Sequence, residues 1–227
     1  MSVILINPFI FGGVANPSVT WTAGTTFTTS GSVHSGGNYN GISVGAADAA
    51  RKVIAVIGWG SVADQTISSM TIGGVSATVV ANTDTATSSG GLAIAIADVP
   101  TGTTADVAIT FSGTVARSGV SLYRVVNLTS STIHASATDT AATSGEVTGT
   151  LNVPANGFCI AGAVTIDGTA WTWTAGPTEN YDVDIGSVSN GFSSALGEYA
   201  SAQTPLTVTT TCGTGSRSAL VAASWGN

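Results

Sequence analysis

The chain has 227 residues and a formal net charge of −7, and only 7% of its residues are charged, against roughly 25% in an ordinary soluble domain. Five basic residues cannot form the clustered surface that nucleic acid or an anionic membrane requires, so both are excluded as partners. Two histidines and two cysteines without CxxC spacing argue against catalysis, a metal site and a disulfide scaffold. We therefore expect no enzymatic activity, no metal and no cofactor. We favour two buried free thiols for Cys159 and Cys212, and one bridge between them is the alternative compatible with the sequence.

The first 17 residues predict an extended arm. The arm is apolar for about a dozen residues, fewer than the roughly 20 needed to span a bilayer, and Asn7-Pro8 interrupts it. It lacks the positive region of a signal peptide, so we expect neither a signal peptide nor a transmembrane segment. We expect the arm to anchor the protein to a partner through its apolar side chains. These are Val3, Ile4, Leu5, Ile6, Phe9 and Phe11.

Short strands and turns follow the arm. Val19–Thr22 and Thr26–Thr28 predict strands, and residues 30–41 predict a loop. The alanine-rich segment Val44–Lys52 predicts a helix of one or two turns. Lys52–Trp59 is an almost continuous apolar run, which is typical of a central strand with both faces covered.

The next part of the chain predicts further strands. Gly73-Gly74 predicts a hairpin turn. Three strands are expected near residues 92–97, 105–111 and 118–126, and two more, over Ile133–Ala137 and Glu146–Val153, bridge to the second half of the chain. Turn signals at this spacing, with no credible long helix, are typical of an all-β sandwich or jelly roll.

One β unit is used twice. The segment Gly90–Val126 returns as Asn190–Trp225, and matched residues are 100 positions apart. We expect halves of about 51–127 and 156–226. Tandem small sandwiches and one larger sandwich are both compatible with this duplication. We favour one antiparallel, jelly-roll-like β-sandwich over residues 18–227, because no flexible linker separates the halves.

Few residues are candidates for catalysis or for metal binding. Gly41–Gly45 has the form GxSxG around Ser43, but the segment before it predicts no strand, so we interpret the match as chance. Glu179, Asp182 and Asp184 predict a solvated acidic strand edge.

Trp171 and Trp173 are two residues apart and share one face of a predicted strand. Such a pair is a candidate stacking platform for a sugar ring. Their alignment with Met70 and Ile72 in the first half, at an offset of 101, favours core packing instead.

Seven motifs carry a family resemblance: RKVIAVIGW (51–59), TIGG (71–74), LAIAIADVP (92–100), VAITFSG (107–113), VSLYRVVNL (120–128), GFCIAGAV (157–164) and LGEY (196–199). With the apolar arm, they make the chain resemble jelly-roll, concanavalin-A-like sandwich modules of tailed-bacteriophage virion proteins and bacterial surface proteins. The resemblance implies a non-enzymatic virion structural protein, a capsid decoration, head fibre or tail appendage, assembled in the host cytoplasm. Its expected partners are other virion proteins and copies of itself, in a trimer. The alternative is a carbohydrate-binding or receptor-binding lectin-like module that recognises a host surface glycan.

Overall fold

The structure is a computed structural model that describes residues 15–28, 34–61, 63–85, 90–166, 170–185, 190–213 and 217–227. Across these ranges the regular elements are β-strands, and the paired strands are antiparallel. The prediction of an all-β antiparallel sandwich is therefore confirmed. The predicted anchoring residues of the arm lie outside the described residues; these are Val3, Ile4, Leu5, Ile6, Phe9 and Phe11.

Sixteen strands fall into two halves of eight. The first half contains β1 (Ser18–Thr28), β2 (His34–Ser43), β3 (Lys52–Ser61), β4 (Ile67–Ile72), β5 (Val75–Ser76), β6 (Thr78–Asp84), β7 (Gly90–Asp98) and β8 (Thr104–Val126). The second half contains β9 (Ala135–Ala141), β10 (Glu146–Val153), β11 (Gly157–Thr165), β12 (Thr172–Ala175), β13 (Thr178–Asp184), β14 (Gly191–Tyr199), β15 (Gln203–Thr211) and β16 (Ser218–Trp225).

The two halves share one topology. In the second half, one sheet has the order β13-β14-β11-β16-β9 and the other has the order β10-β15-β12. In the first half, the corresponding orders are β6-β7-β3-β8-β1 and β2-β8-β4, with β5 added beside β4. Strands β9 and β10 thus take the places of β1 and β2. The duplicated unit is larger than the halves that the sequence indicates, because it includes the two strands interpreted as a bridge.

Strand β8 connects both sheets of the first half. Its beginning pairs with β2 and β4, and its end pairs with β1 and β3. The pairing with β2 jumps from Thr110 to Val115, which is where the strand passes from one sheet to the other. The prediction of two strands separated near Gly113 is wrong for this half, because the chain changes sheets by bending rather than by turning.

The sheets stack in four layers around three cores. The first core lies between the two sheets of the first half and includes Val53 and Ile57, and the third lies between the two sheets of the second half. The second core lies between the halves, where Ile54 and Val56 of β3 meet residues such as Phe192. Successive residues of β3 therefore enter different cores, which explains its continuous apolar run.

The segment after β2 is not a helix, so that prediction is wrong. Arg51 is 1% exposed, and its guanidinium donates hydrogen bonds to the carbonyl oxygens of Val44, Gly45 and Ala46. In a helix these carbonyls would accept from amides four residues later. Because Arg51 occupies them instead, the segment folds as an irregular loop.

The predicted loop over residues 30–41 is also wrong where the chain is described, because β2 begins at His34. The glycine-rich sequence of β2 has little intrinsic strand preference. Tyr39 and Ile42 nevertheless bury their side chains in the first core, and the Tyr39 hydroxyl is hydrogen-bonded to that of Ser118 on β8. Tertiary packing therefore overrides local preference.

Candidate functional site

The two tryptophans of the predicted platform have different environments. Trp171 precedes β12, is 4% exposed and belongs to the third core. Trp173 lies within β12 and is half-buried against the same core. The two indoles therefore do not form an exposed pair, and Trp173 is the one whose side chain remains partly accessible.

A hydrogen-bonded chain fixes the Trp173 ring. Its Nε1–H donates to Ser193 Oγ over 2.9 Å, and the Ser193 hydroxyl lies near enough to the Glu179 carboxylate to lower its pKa. Ser193 is fully buried on β14, and Glu179 lies on β13. The chain thus connects β12, the edge strand of one sheet of the second half, to two strands of the other.

A second carboxylate supports the same strand. Asp182 Oδ2 accepts the backbone N–H of Trp171 over 3.1 Å. Partial burial raises the pKa of Asp182, while hydrogen bonds from the backbone of Trp171 and Val183 lower it. Partial burial also raises the pKa of Glu179, as does the charge of Asp182, while the hydrogen bond with Ser193 lowers it. Glu179 and Asp182 both keep solvent contact, so the corner presents two accessible acceptor groups.

Glu179 borders a shallow concavity of about 550 Å³ that is lined by residues 171–179. Three threonines are among the lining residues; these are Thr172, Thr174 and Thr178. Trp171 lines it as well, and its buried Nε1–H has no hydrogen-bond partner among the described residues. We call this concavity, together with Ser193 and Asp182, the β12–β13 corner.

The first half lacks the glutamate and the serine of this corner. Val79 pairs with Ala95 as Glu179 pairs with Ala195, and the residue opposite Asn82 is Ala93 where the residue opposite Asp182 is Ser193. The β6–β7 pair and the β13–β14 pair have the same register irregularity between these positions. The backbone is thus repeated, but the chain of tryptophan, serine and glutamate is particular to the second half.

Sequence reasoning found part of this corner. It singled out Trp173 and Glu179 separately and missed Ser193, which connects them. The detectable signal was the difference between the halves, since a core strand carries Ala93 in one and Ser193 in the other. Glu179, Asp182 and Asp184 lie on β13, which is an edge strand as predicted.

Both ends of the described chain meet at one face of the body. The Asn227 side-chain amide donates to the carbonyl oxygens of Ala15, over 2.9 Å, and Asn127, over 2.7 Å. Thr129 donates to Asn227 Oδ1 from both its backbone N–H and its hydroxyl. The chain that precedes Ala15 therefore joins the body beside Asn227.

The other candidate residues from the sequence do not form a site in the described part of the chain. Ser43 ends β2, and residues 44–51 form no helix, so the GxSxG match lacks the strand-to-helix elbow of a nucleophilic serine. Among the described residues there is no group of three metal-binding side chains. The same part of the chain has no helix that is long and apolar enough to cross a membrane.

No protein-family model, curated protein or solved structure matches the chain. The resemblance to phage sandwich modules therefore stays a prediction.

Proposed function

We propose that the chain is a non-enzymatic structural protein of a tailed-phage virion, a capsid decoration, head fibre or tail appendage. Residues 18–227 form the displayed body, and the apolar arm anchors this body to another virion protein. The observation that carries the proposal is the hydrogen bonding of Asn227 to Ala15, because it holds the end of the arm, where it joins the body, against one defined face.

The surface of the body supports an anchor outside it. Val75 is the one large hydrophobic side chain that is exposed in the described part of the chain. A stable protein interface normally needs a buried apolar centre. Since the described body offers no such patch, the apolar side chains of the arm are the best candidates, by strand addition or by insertion into a groove of the partner.

The body is suited to display. Its four layers and three cores cover both faces of the central strands, and only 7% of the chain is charged. We expect the protein to act as a closed symmetric oligomer, with a trimer as the specific proposal. Native mass spectrometry of the purified chain measures this directly, and a monomer at micromolar concentration would contradict it.

Replacing Ile4 and Ile6 together by serine tests the anchor. Burial of each isoleucine contributes about 1.5–3 kcal/mol, so incorporation into particles should fall by at least about tenfold. The matched control is Val75→Ser, which removes an apolar side chain from the body and should leave incorporation unchanged. Urea unfolding must show both variants folded. Undiminished incorporation of the Ile4/Ile6 variant would reject the anchor.

A further inference from the structure

The β12–β13 corner is a second candidate for recognition, separate from the arm. We propose that it binds a neutral saccharide, with one pyranose ring against the Trp173 indole and ring hydroxyls donating to Glu179. This inference does not depend on a virion role, because it concerns a surface of the body alone.

The tryptophan is positioned in advance. Its Nε1–H donates to Ser193, which is fully buried and lies beside Glu179. The ring orientation is therefore fixed before a ligand arrives, which reduces the entropy lost on binding. An indole is a large apolar surface with a polar edge, and here the polar edge is already satisfied.

The carboxylates supply acceptors for hydroxyl groups. Hydrogen bonds to an ionised group are about twice as strong as those between neutral groups, and Glu179 lines the same concavity as Trp173. The buried Trp171 Nε1–H is unpaired among the described residues. Because this nitrogen is itself buried, it is not a contact for a ligand in the concavity, and Glu179 is the acceptor that the proposal uses.

Charge and shape select the class of ligand. Glu179, Asp182 and Asp184 would repel sialic acids, uronic acids and sulfated sugars, and the chain has a net charge of −7. A quaternary ammonium ligand needs several aromatic faces around it. Trp171 is buried, so among the tryptophans of the corner only Trp173 is left to offer a face. Neutral sugars with adjacent hydroxyls fit both features.

The test uses the whole chain labelled with nitrogen-15 and a panel of methyl glycosides of glucose, galactose, mannose and N-acetylglucosamine. The indole signal of Trp173, assigned with Trp173→Phe, should shift on titration with at least one sugar, with millimolar affinity. Glu179→Gln should weaken that affinity about tenfold, because it replaces a charged acceptor by a neutral one. The matched control is Asp84→Asn, which alters the carboxylate of β6 that corresponds to Asp184 and should leave the affinity unchanged.

Three results would overturn the proposal. The first is the absence of any shift across the panel at about 50-fold molar excess of sugar over protein, an excess at which weak binding is still detected. The second is binding that Glu179→Gln leaves intact. The third is a response of the Trp173 signal to choline or to N-acetylneuraminic acid instead of neutral sugars. Urea unfolding of the Glu179 variant distinguishes lost binding from lost fold.

Discussion

The phenolic oxygen of Tyr123, on β8 of the first half, donates a hydrogen bond to Ser194 Oγ, on β14 of the second half, over 2.8 Å. Ser194 in turn donates to Ser121 Oγ over 2.7 Å, which also accepts the Trp21 Nε1–H over 3.0 Å. Buried polar groups need partners, so this network favours the register between the halves in which these hydroxyl groups are paired.

Replacing Tyr123 by phenylalanine should lower the free energy of unfolding by about 1 kcal/mol, because one buried hydrogen bond is lost. Ser194→Ala should have a similar effect. Combining the two should cost less than the sum, since both remove the same bond. Urea unfolding of the four proteins measures this coupling, and strict additivity would show that the Tyr123–Ser194 bond does not stabilise the interface.

Gly58 should tolerate no larger residue. A Cβ atom at this position would lie 2.5 Å from Phe192 Cδ2 of the other half. Gly58→Ala should therefore destabilise the protein by about 1–3 kcal/mol, as is usual for overpacked cores. Gly213→Ala is the control, because a Cβ there meets no atom within 4 Å. Equal unfolding free energies for the two variants would contradict the packing of the halves described above.

Arg51 should be among the most sensitive positions of the first half. Its guanidinium also donates to the carbonyl oxygens of Val99 and Thr101, so Arg51→Met leaves several carbonyls without a partner. We expect a loss of about 3 kcal/mol or more, since each orphaned buried group costs about 1–3 kcal/mol. Arg124→Met, which removes one hydrogen bond to Ala46, should cost about 1 kcal/mol. Chemical denaturation compares them, and a smaller loss for Arg51→Met would refute the role assigned to Arg51.

Alkaline pH should reveal the burial of Cys159. Burial raises the pKa of its thiol from 9.0 to about 12, so above pH 9 the unfolded chain loses this proton and the folded chain keeps it. Stability is thus fully present below pH 9 and falls towards pH 12, by up to about 1.4 kcal/mol per pH unit. Cys159→Ala should reduce this slope between pH 9 and 10. An unchanged slope would show that the thiol is not buried.

The two thiols should also be unreactive towards thiol reagents in the native protein. Cys159 and Cys212 are both buried and unbridged. A thiol reagent such as Ellman's should react with neither in the native protein and with both in denaturant. Rapid labelling of the native protein would contradict this state. So would a mass about two daltons below that of the reduced chain, because one disulfide bridge removes two hydrogen atoms.

Periodicity was sufficient for the strands whose burial is local in the sequence. The apolar run of β3 and the Gly73-Gly74 turn, whose two residues have positive φ angles, are where the pattern predicts them. It failed where distant residues decide the conformation. The hydrogen bonds donated by Arg51 hold the segment after β2 as a loop instead of a helix. The burial of Tyr39 stabilises the glycine-rich segment of β2 as a strand.

The candidate site was only partly predictable for a related reason. The pattern places Trp171 and Trp173 on one face, but it cannot tell which ring the third core covers. Ser193 lies 20 positions from Trp173, and its role depends on how β12 crosses β14. Pairing of distant strands sets that crossing, and single-sequence periodicity does not contain it.

The most direct test of the proposed function is quantitative mass spectrometry of tailed-phage particles purified from cells that carry the gene for the chain. The proposal predicts that its peptides co-purify with assembled particles at a fixed copy number, high for a capsid decoration and low for a fibre or tail appendage. Particles that lack the chain, while infected cells contain it, would contradict the proposal.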